Sequence, residues 1–481
     1  SIFSNQSELT YIGEFAFDRT SIEKISIPDK VKSIGQNCFG HCGKLREVTF
    51  SEDSKLQCIK QNTFQSKVME RFKVPPHVFI IKTYAFKKCE NLKVIEFSEN
   101  SKIFRLEKNC FNMNSLESIT LPSRVVELEN GWCEYLNKLN SIQIIVQAKK
   151  RIDIYANEFI IGKSSPSKSC LNSIIIAARN IQRITIPSFI KRISSYAFYN
   201  CSALESVTFE DNSKLESIDQ FAFSNTRIKS ITIPKNVIEI GGNSFAHSFL
   251  ENVTFSKDSK LKCINQNAFC FTQLKSVNVP PHVRHIGRFA FCGCDKLLSV
   301  VFDVNSEIET IEYRAFDQTN LERITLPTSI KKVQSSAFSK CNNLKSVTFS
   351  EPSQIKIIEN QLFSYSSLKS FTIPLSVVSL ESEWHDSLNL KEFNVHSDNK
   401  FFAKFHDDFI LAKSKQESDV FDVLVYASKS IKKAVIPSFV KEIAPSSFIH
   451  CELLESIEFS ENSQLRTIGS KAFQFTSTRQ N

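Results

Sequence analysis

The chain has 481 residues, a net charge of +9 and an apolar fraction of 41%. No apolar run approaches the roughly 18 residues of a membrane span, and the densest basic block, Lys149-Lys150-Arg151, falls far short of a nucleic-acid footprint. Aromatic usage is lopsided, with 42 Phe against 2 Met and 2 Trp, so one ring is being placed at one kind of position again and again.

The first residues already belong to a repeating unit. Counting from Phe3, apolar side chains fall at Leu9, Ile12 and Phe17; the same ruler fits Phe50 (Leu56, Ile59, Phe64) and again Phe97, Phe209, Phe255, Phe302, Phe349 and Phe459. A second unit alternates with it and is clearest in Ile184–Cys201, ITIPSFIKRISSYAFYNC. From Pro187, apolar residues fall at Ile190 and Ile193, followed by Ala197, Phe198 and Cys201. Pro28, Pro75, Pro122, Pro234, Pro280, Pro327, Pro374 and Pro437 start the same pattern, and seven of the nine keep the Phe. The two units together span 47 residues, and self-similarity at that period is the signature of stacked coils. Because each coil contacts only its neighbours, length alone does not imply several globular domains. The chain opens and stops inside a repeat, without an initiator Met or a signal-peptide pattern, and reads as excised from something longer.

Two intervals exceed that period, Pro122 to Pro187 and Pro374 to Pro437. Each follows a coil in which Trp132 or Trp384 displaces the usual small residue and Cys133 or His385 displaces the Phe. The inserts read as alternating strands, IQIIVQ, IDIYANEFIIG and FFAKFHDDFILA, separated by polar turns. The expected organisation is therefore one continuous solenoid of about 17 coils: repeats over 1–139, an insert over 140–180, repeats over 181–392, an insert over 393–433, and repeats over 434–481. Within a coil, SITIP and SVTF alternate apolar with Ser or Thr and are strands with one buried face. Pro ends one strand type; Asx/Ser turns such as SEDSKL end the other. The AF-x-x-C return is expected to make a single helical turn, thickening the outer side so that the stack curves with its parallel sheet inside.

The pattern LxxIxIPxxVxxIxxxAFxxC resembles the BspA-like (Treponema-type) leucine-rich repeats over nearly the whole chain. The resemblance implies an α/β repeat solenoid, a curved right-handed stack with a concave parallel sheet, carried by secreted or surface proteins that bind host or matrix proteins. Gly at the seventh residue after the proline is frequent in that family; here only Gly35, Gly241 and Gly287 keep it.

Little in the chain carries chemistry. Of 14 cysteines, Cys42, Cys89, Cys201, Cys294, Cys341 and Cys451 share one repeat position where other coils have Ser248, Leu136 or Leu388, so the site wants a small or apolar filler. They recur every second coil, about 10 Å apart, too far for a disulfide; they are read as a structural ladder of free thiols. Cys270 and Cys292 lie on adjacent coils at equivalent positions and are the candidate disulfide pair. His282, His285, Cys292 and Cys294 lack paired zinc-ligand spacing, and the acidic turns lack the oxygens of a calcium site. No Gly-rich phosphate loop, GxSxG or HExxH is present, so no enzyme, metal or cofactor is expected.

The outward strand row is richer. Thr185, Thr208, Thr232, Thr325 and Thr348 lie between buried neighbours, with Arg183 and Arg323 two residues earlier. A β-branched ladder suits any stacked sheet; as a surface it is a broad hydroxyl wall that holds a protein ligand by area. The inserts, with His406, Asp407 and Asp408, break the monotony and offer specificity. The expected protein is a non-enzymatic, adhesin-like binder at the cell surface or secreted; the alternative is an intracellular scaffold in the cytoplasm, which free thiols suit better. Asn5, Asn200 and Asn252 begin glycosylation sequons.

Overall fold

Ile184 and Ile186 are buried and Arg183 and Thr185 exposed in the strand Arg183–Ile186, as a period of two requires. The next strand, Ser206–Phe209, repeats the pattern and runs parallel to it, with Ile184 opposite Val207 and Thr185 opposite Thr208. Such coils build the protein in a computed structural model that describes residues 3, 7–112, 114–147, 150–163, 170–381, 383–385, 388 and 390–477. The described residues fall into two compact units, Ser1–Val237 with Ser244–Phe249, and Ile238–Asn243 with Leu250–Asn481. Each is a solenoid of parallel-stranded coils.

A coil has three sides. The four-residue strand is followed by a turn, closed after Pro187 by the Ile190 amide donating to its carbonyl at 3.1 Å. A two-residue strand such as Arg192–Ile193 comes next, and its partner is Ser217–Ile218 one coil on. The AF-x-x-C segment makes the third side, and here the expected helical turn does not form. No described residue is helical, and the α/β label gives way to an all-β one. Tyr196 and Asn200 adopt φ of +64° and +57°, which breaks a right-handed helix. The Tyr196, Phe198 and Asn200 amides instead donate to Gln220, Ala222 and Ser224 in the next coil, at 3.1, 2.8 and 3.0 Å. The segment is a third intercoil ladder with two left-handed corners. Its signal was the recurrence of Asn, which tolerates that conformation: Asn37, Asn62, Asn109, Asn243 and Asn267 at the first corner, Asn200 and Asn225 at the second.

The four-residue strands do not form the unbroken stack that the repeat suggests. In the second unit they pair in twos: Ser276–Val279 with Ser299–Phe302, Arg323–Leu326 with Ser346–Phe349, Ser370–Ile373 with Glu392–Val395. The chain takes a longer step between unbonded neighbours than between bonded ones. Ser299 to Arg323 and Ser346 to Ser370 each contain an extra residue relative to Ser276 to Ser299 or Arg323 to Ser346. The extra residue accompanies the break in the second unit but does not by itself force it, since Val94 to Ser118 takes the same longer step and those strands pair. The two-residue strands escape this and run continuously through Glu239–Ile240, Cys263–Ile264, His285–Ile286, Thr310–Ile311 and Lys332–Val333.

The core is a column of phenyl rings. Phe198 and Phe223 stack at 5.0 Å with planes 7° apart, and Phe291, Phe316 and Phe338 follow at 5.2 and 5.5 Å within 1° of parallel. Ile, Val and Leu from the strands fill the space behind them.

Two segments expected as single strands are hairpins. Ile152–Tyr155 turns back as Phe159–Lys163, and Phe402–Phe405 turns back as Phe409–Ala412. Ala156 and Asn157 both take positive φ at the first turn, the geometry that suits tight hairpins. Each hairpin is extended by a third antiparallel strand, Leu171–Ala177 or Val423–Ala427, which rejoins the coils in parallel.

Candidate binding surface

Each long strand turns every second side chain outward because its partners pack inward on the ring column. In the first unit this places Arg183 beside Ser206 and Thr185 beside Thr208, the two hydroxyl oxygens 2.9 Å apart. Thr232 is exposed on the strand Ser230–Ile233. In the second unit Arg323 lies beside Ser346, and Thr325 meets Thr348 at 2.9 Å. Two Arg-Thr-Thr constellations of one design result, one on each unit. His406 and Asp408 join neither. They sit at the tip of the second insert's hairpin, where the His406 ring packs edge-on against Phe405 and the Asp408 carbonyl accepts the Ser428 amide at 2.7 Å.

Where neighbouring long strands do not bond, the surface opens. A hollow of about 400 Å³ lies between Ser299–Phe302 and Arg323–Leu326, lined by Arg323 and Thr325 together with Val301 and Val304. Val301 is 54% exposed and Val304 96%, an apolar rim beside a guanidinium. A second hollow, of about 240 Å³, separates Ser346–Phe349 from Ser370–Ile373 and includes Thr348. A third, of about 260 Å³, lies under the second hairpin and takes in Lys404, Asp407, Asp408 and Tyr426, but not His406. The Lys404 ammonium, 2.9 Å from Asp407, holds that carboxyl below its usual range. All three are open depressions that suit side chains of a partner.

The cysteines are inward. Cys42, Cys89, Cys294 and Cys341 are fully buried, and their Sγ–H donate to the carbonyls of Phe17, Phe64, Phe269 and Phe316 at 3.0, 3.4, 3.1 and 3.1 Å. Cys201 and Cys451 reach Ala178 and Ser428 at 3.7 and 3.6 Å. Burial pushes Cys89, Cys294 and Cys341 up to about 12, which leaves them as thiols. The position is thus a weak donor as well as a filler; Ser248 stands there too but donates within its own coil, to Phe245 at 2.7 Å. Sequence reasoning missed the threonine one coil ahead of it: Thr20, Thr272 and Thr319 meet Cys42, Cys294 and Cys341 at 3.4, 3.2 and 3.2 Å. Cys270 and Cys292 are adjacent, unbonded thiols; hydrogen bonding between them raises the first and lowers the second. His282 lies 2.8 Å from Glu307, and among the described residues no three His, Cys, Asp or Glu side chains gather at metal-binding distance.

Of the sequons, Asn5 lies outside the described residues. Asn200 is committed to a side-chain run, donating to Asn137 and accepting from Asn225, both at 2.7 Å. Asn252 is exposed on its strand.

Two buried cations, at matching places near the ends of the two inserts, were also missed. Arg179, 4% exposed, stands one coil before Cys201 and donates to the carbonyls of Leu136 (3.1 Å) and Ala197 (2.9 Å). Lys429 stands one coil before Cys451 and donates to the Ile449 carbonyl. Each occupies the place that threonine holds in an ordinary coil.

His385 is 1% exposed, edge-on to Tyr426. Burial, helped by the nearby Lys429 ammonium, holds it well below its usual value of 6.5. As pH falls below about 6.5 the unfolded chain therefore takes up a proton that the folded one refuses, and stability falls by up to about 1.4 kcal/mol per pH unit. Urea melts between pH 7 and 5 are expected to show this slope, and His385→Gln to flatten it; an identical slope in the variant removes His385 as its source.

A family model described as BspA type leucine rich repeat region matches residues 2–93, 57–159, 170–298, 284–405 and 419–480. Among solved structures the chain is similar to a leucine-rich repeat protein from Eubacterium ventriosum, at 20% identity over 76% of this chain and 82% of that one, with a TM-score of 0.49. It is similar to a leucine rich cell surface protein from Faecalibacterium prausnitzii at 20% identity, over 71% and 83% of the two chains, with a TM-score of 0.46. The pneumococcal vaccine antigen PcpA is 22% identical over 67% of each chain, with a TM-score of 0.32. Among curated proteins no match is found.

Proposed function

The chain belongs to the BspA-type leucine-rich repeat family, and from that premise we propose that it is a non-enzymatic, adhesin-like protein at the cell surface or secreted, binding host or matrix proteins through its long-strand face. The observation that supports this most is the pair of Arg-Thr-Thr constellations, each exposed with its two threonines opposite one another, the second of them beside a hollow with an apolar rim. Such a surface gathers affinity from area and a few seated side chains. The second hairpin, with Asp408 at its own hollow, supplies specificity.

The test is a solid-phase panel of matrix proteins (fibronectin, laminin, collagen) against the purified chain. Arg323→Ala with Thr348→Lys is expected to weaken binding by roughly tenfold or more, since it removes a seated cation and blocks a hollow. Unchanged binding by that variant overturns the choice of face, and no binding by the wild type at micromolar concentration overturns the matrix reading.

An intracellular scaffold is the second reading. It is favoured by Cys42, Cys89, Cys294 and Cys341, which bond to carbonyl oxygens and not to sulfur. A count of reactive thiols in denatured, unreduced protein separates the two, because a protein matured in an oxidising compartment rarely keeps so many free.

A further inference from the structure

The residue just before each four-residue repeat strand is exposed, or part-buried at Glu251, and these residues form a row along each unit. In the first unit the row opens Glu23, Arg46, Glu70, Lys93, Glu117, alternating in sign, and continues through the neutral Asn140 and Gln182 to Glu205 and Lys229. Backbone bonds align its members, Arg46 to Glu23 at 2.8 Å and Glu117 to Lys93 at 3.0 Å, and Lys93 meets Glu117 as an ion pair at 3.5 Å. The second unit begins in the same way, with Lys275 and Glu251 paired at 2.7 Å. After Leu298 and Glu322 the alternation stops, and Lys345, Lys369 and Lys391 follow on three successive coils. The Lys391 amide donates to the Lys369 carbonyl at 2.7 Å, so the two are direct neighbours. Among the described residues no carboxylate forms an ion pair with any of the three. Glu322 borders the run at one end and Glu392 at the other; between them the flanking strand residues are Ser346 and Ser370.

Like charges on adjacent strands destabilise a sheet, and a row that cancels its charges elsewhere carries that cost here. The same stretch holds the hollow of about 240 Å³, lined by Val347 and Phe371, by Thr348 and Thr372, and by Glu351 and His396. We propose that the Lys345–Lys369–Lys391 run and this hollow form a docking track for an acidic polypeptide segment of the partner, the lysines meeting its carboxylates and the hollow taking one apolar side chain. The apolar socket favours a polypeptide over a sulfated polysaccharide, which has no such side chain to offer. This deepens the protein-binding reading and rests on it.

The full chain is titrated with a labelled Glu-rich peptide carrying a central Leu, with its Gln-for-Glu counterpart, and with heparin. The acidic peptide is expected to bind, to weaken as salt shortens the screening length, and to bind roughly tenfold more weakly to the Lys345→Gln, Lys369→Gln, Lys391→Gln triple variant, as loss of three exposed pairs implies. A control triple at Lys24, Lys93 and Lys275 is expected to stay within about twofold of wild type. Lys369→Glu restores alternation, and should weaken peptide binding while raising Tm by about 1–3 °C. Peptide affinity unchanged in the first triple, a lower Tm for Lys369→Glu, or heparin bound more tightly than the peptide and lost in the same triple each overturns the proposal. Matrix-protein binding that persists while the peptide never binds overturns the acidic segment alone and leaves the protein-binding reading intact; peptide binding without any matrix protein bound supports the track and overturns the matrix reading.

Discussion

Phe198→Ala is expected to lower the unfolding free energy by about 3–5 kcal/mol, the cost of removing a fully buried ring and leaving its cavity. Phe198 is 0% exposed and stacks face to face on Phe223. Its backbone amide is bonded to Ala222 in the next coil, so the ladder holds the cavity open and keeps neighbours from collapsing into it. Phe198→Leu keeps most of the volume and should cost less, about 1.5 kcal/mol or under. Urea melts of both variants check this, with the loss appearing as a lower midpoint at similar m. An alanine variant with the wild-type midpoint would mean that the ring column does not hold the first unit together.

Arg179→Ala is expected to cost about 2–4 kcal/mol, from acceptors left buried without a donor. The guanidinium serves Leu136, ahead of the first insert, and Ala197, beyond it, so it fastens the two ends across which the insert departs. Arg179→Lys keeps the charge and one donor direction and should recover part of the loss, whereas Arg179→Met keeps bulk and recovers none of the hydrogen bonding. Thermal melts and amide exchange at Ala177 and Phe198 read this locally. Equal stability of the Met and wild-type proteins would reduce Arg179 to a space filler.

The two residues differ in how visible they were beforehand. Phe198 recurs at a fixed offset from a proline in seven of nine coils, and period together with hydrophobicity is enough to place it inside. Arg179 occurs once, in an insert, and reads as an ordinary surface cation; its burial depends on the carbonyls of Leu136 and Ala197, both distant along the chain. Similarly, the outward Thr rows were legible because strand alternation is local, but the hollows beside Arg323 and Thr348 were not. They lie where neighbouring long strands do not bond, a gap between residues of different coils that shows only when the strands are stacked.

The amino-acid order by itself settled the repeat, the family resemblance and which faces are buried, because these follow from spacing along the chain and the cost of leaving apolar groups in water. The tertiary structure decided what the AF-x-x-C segment does with its amides, which expected strands fold back as hairpins, where Arg179 and Lys429 find acceptors, and that Lys369 and Lys391 are neighbours. Apart from the hairpins, which are local but depend on a turn whose geometry the alternating pattern does not reveal, each of those outcomes is a contact between different coils, so it has no value until the coils are stacked.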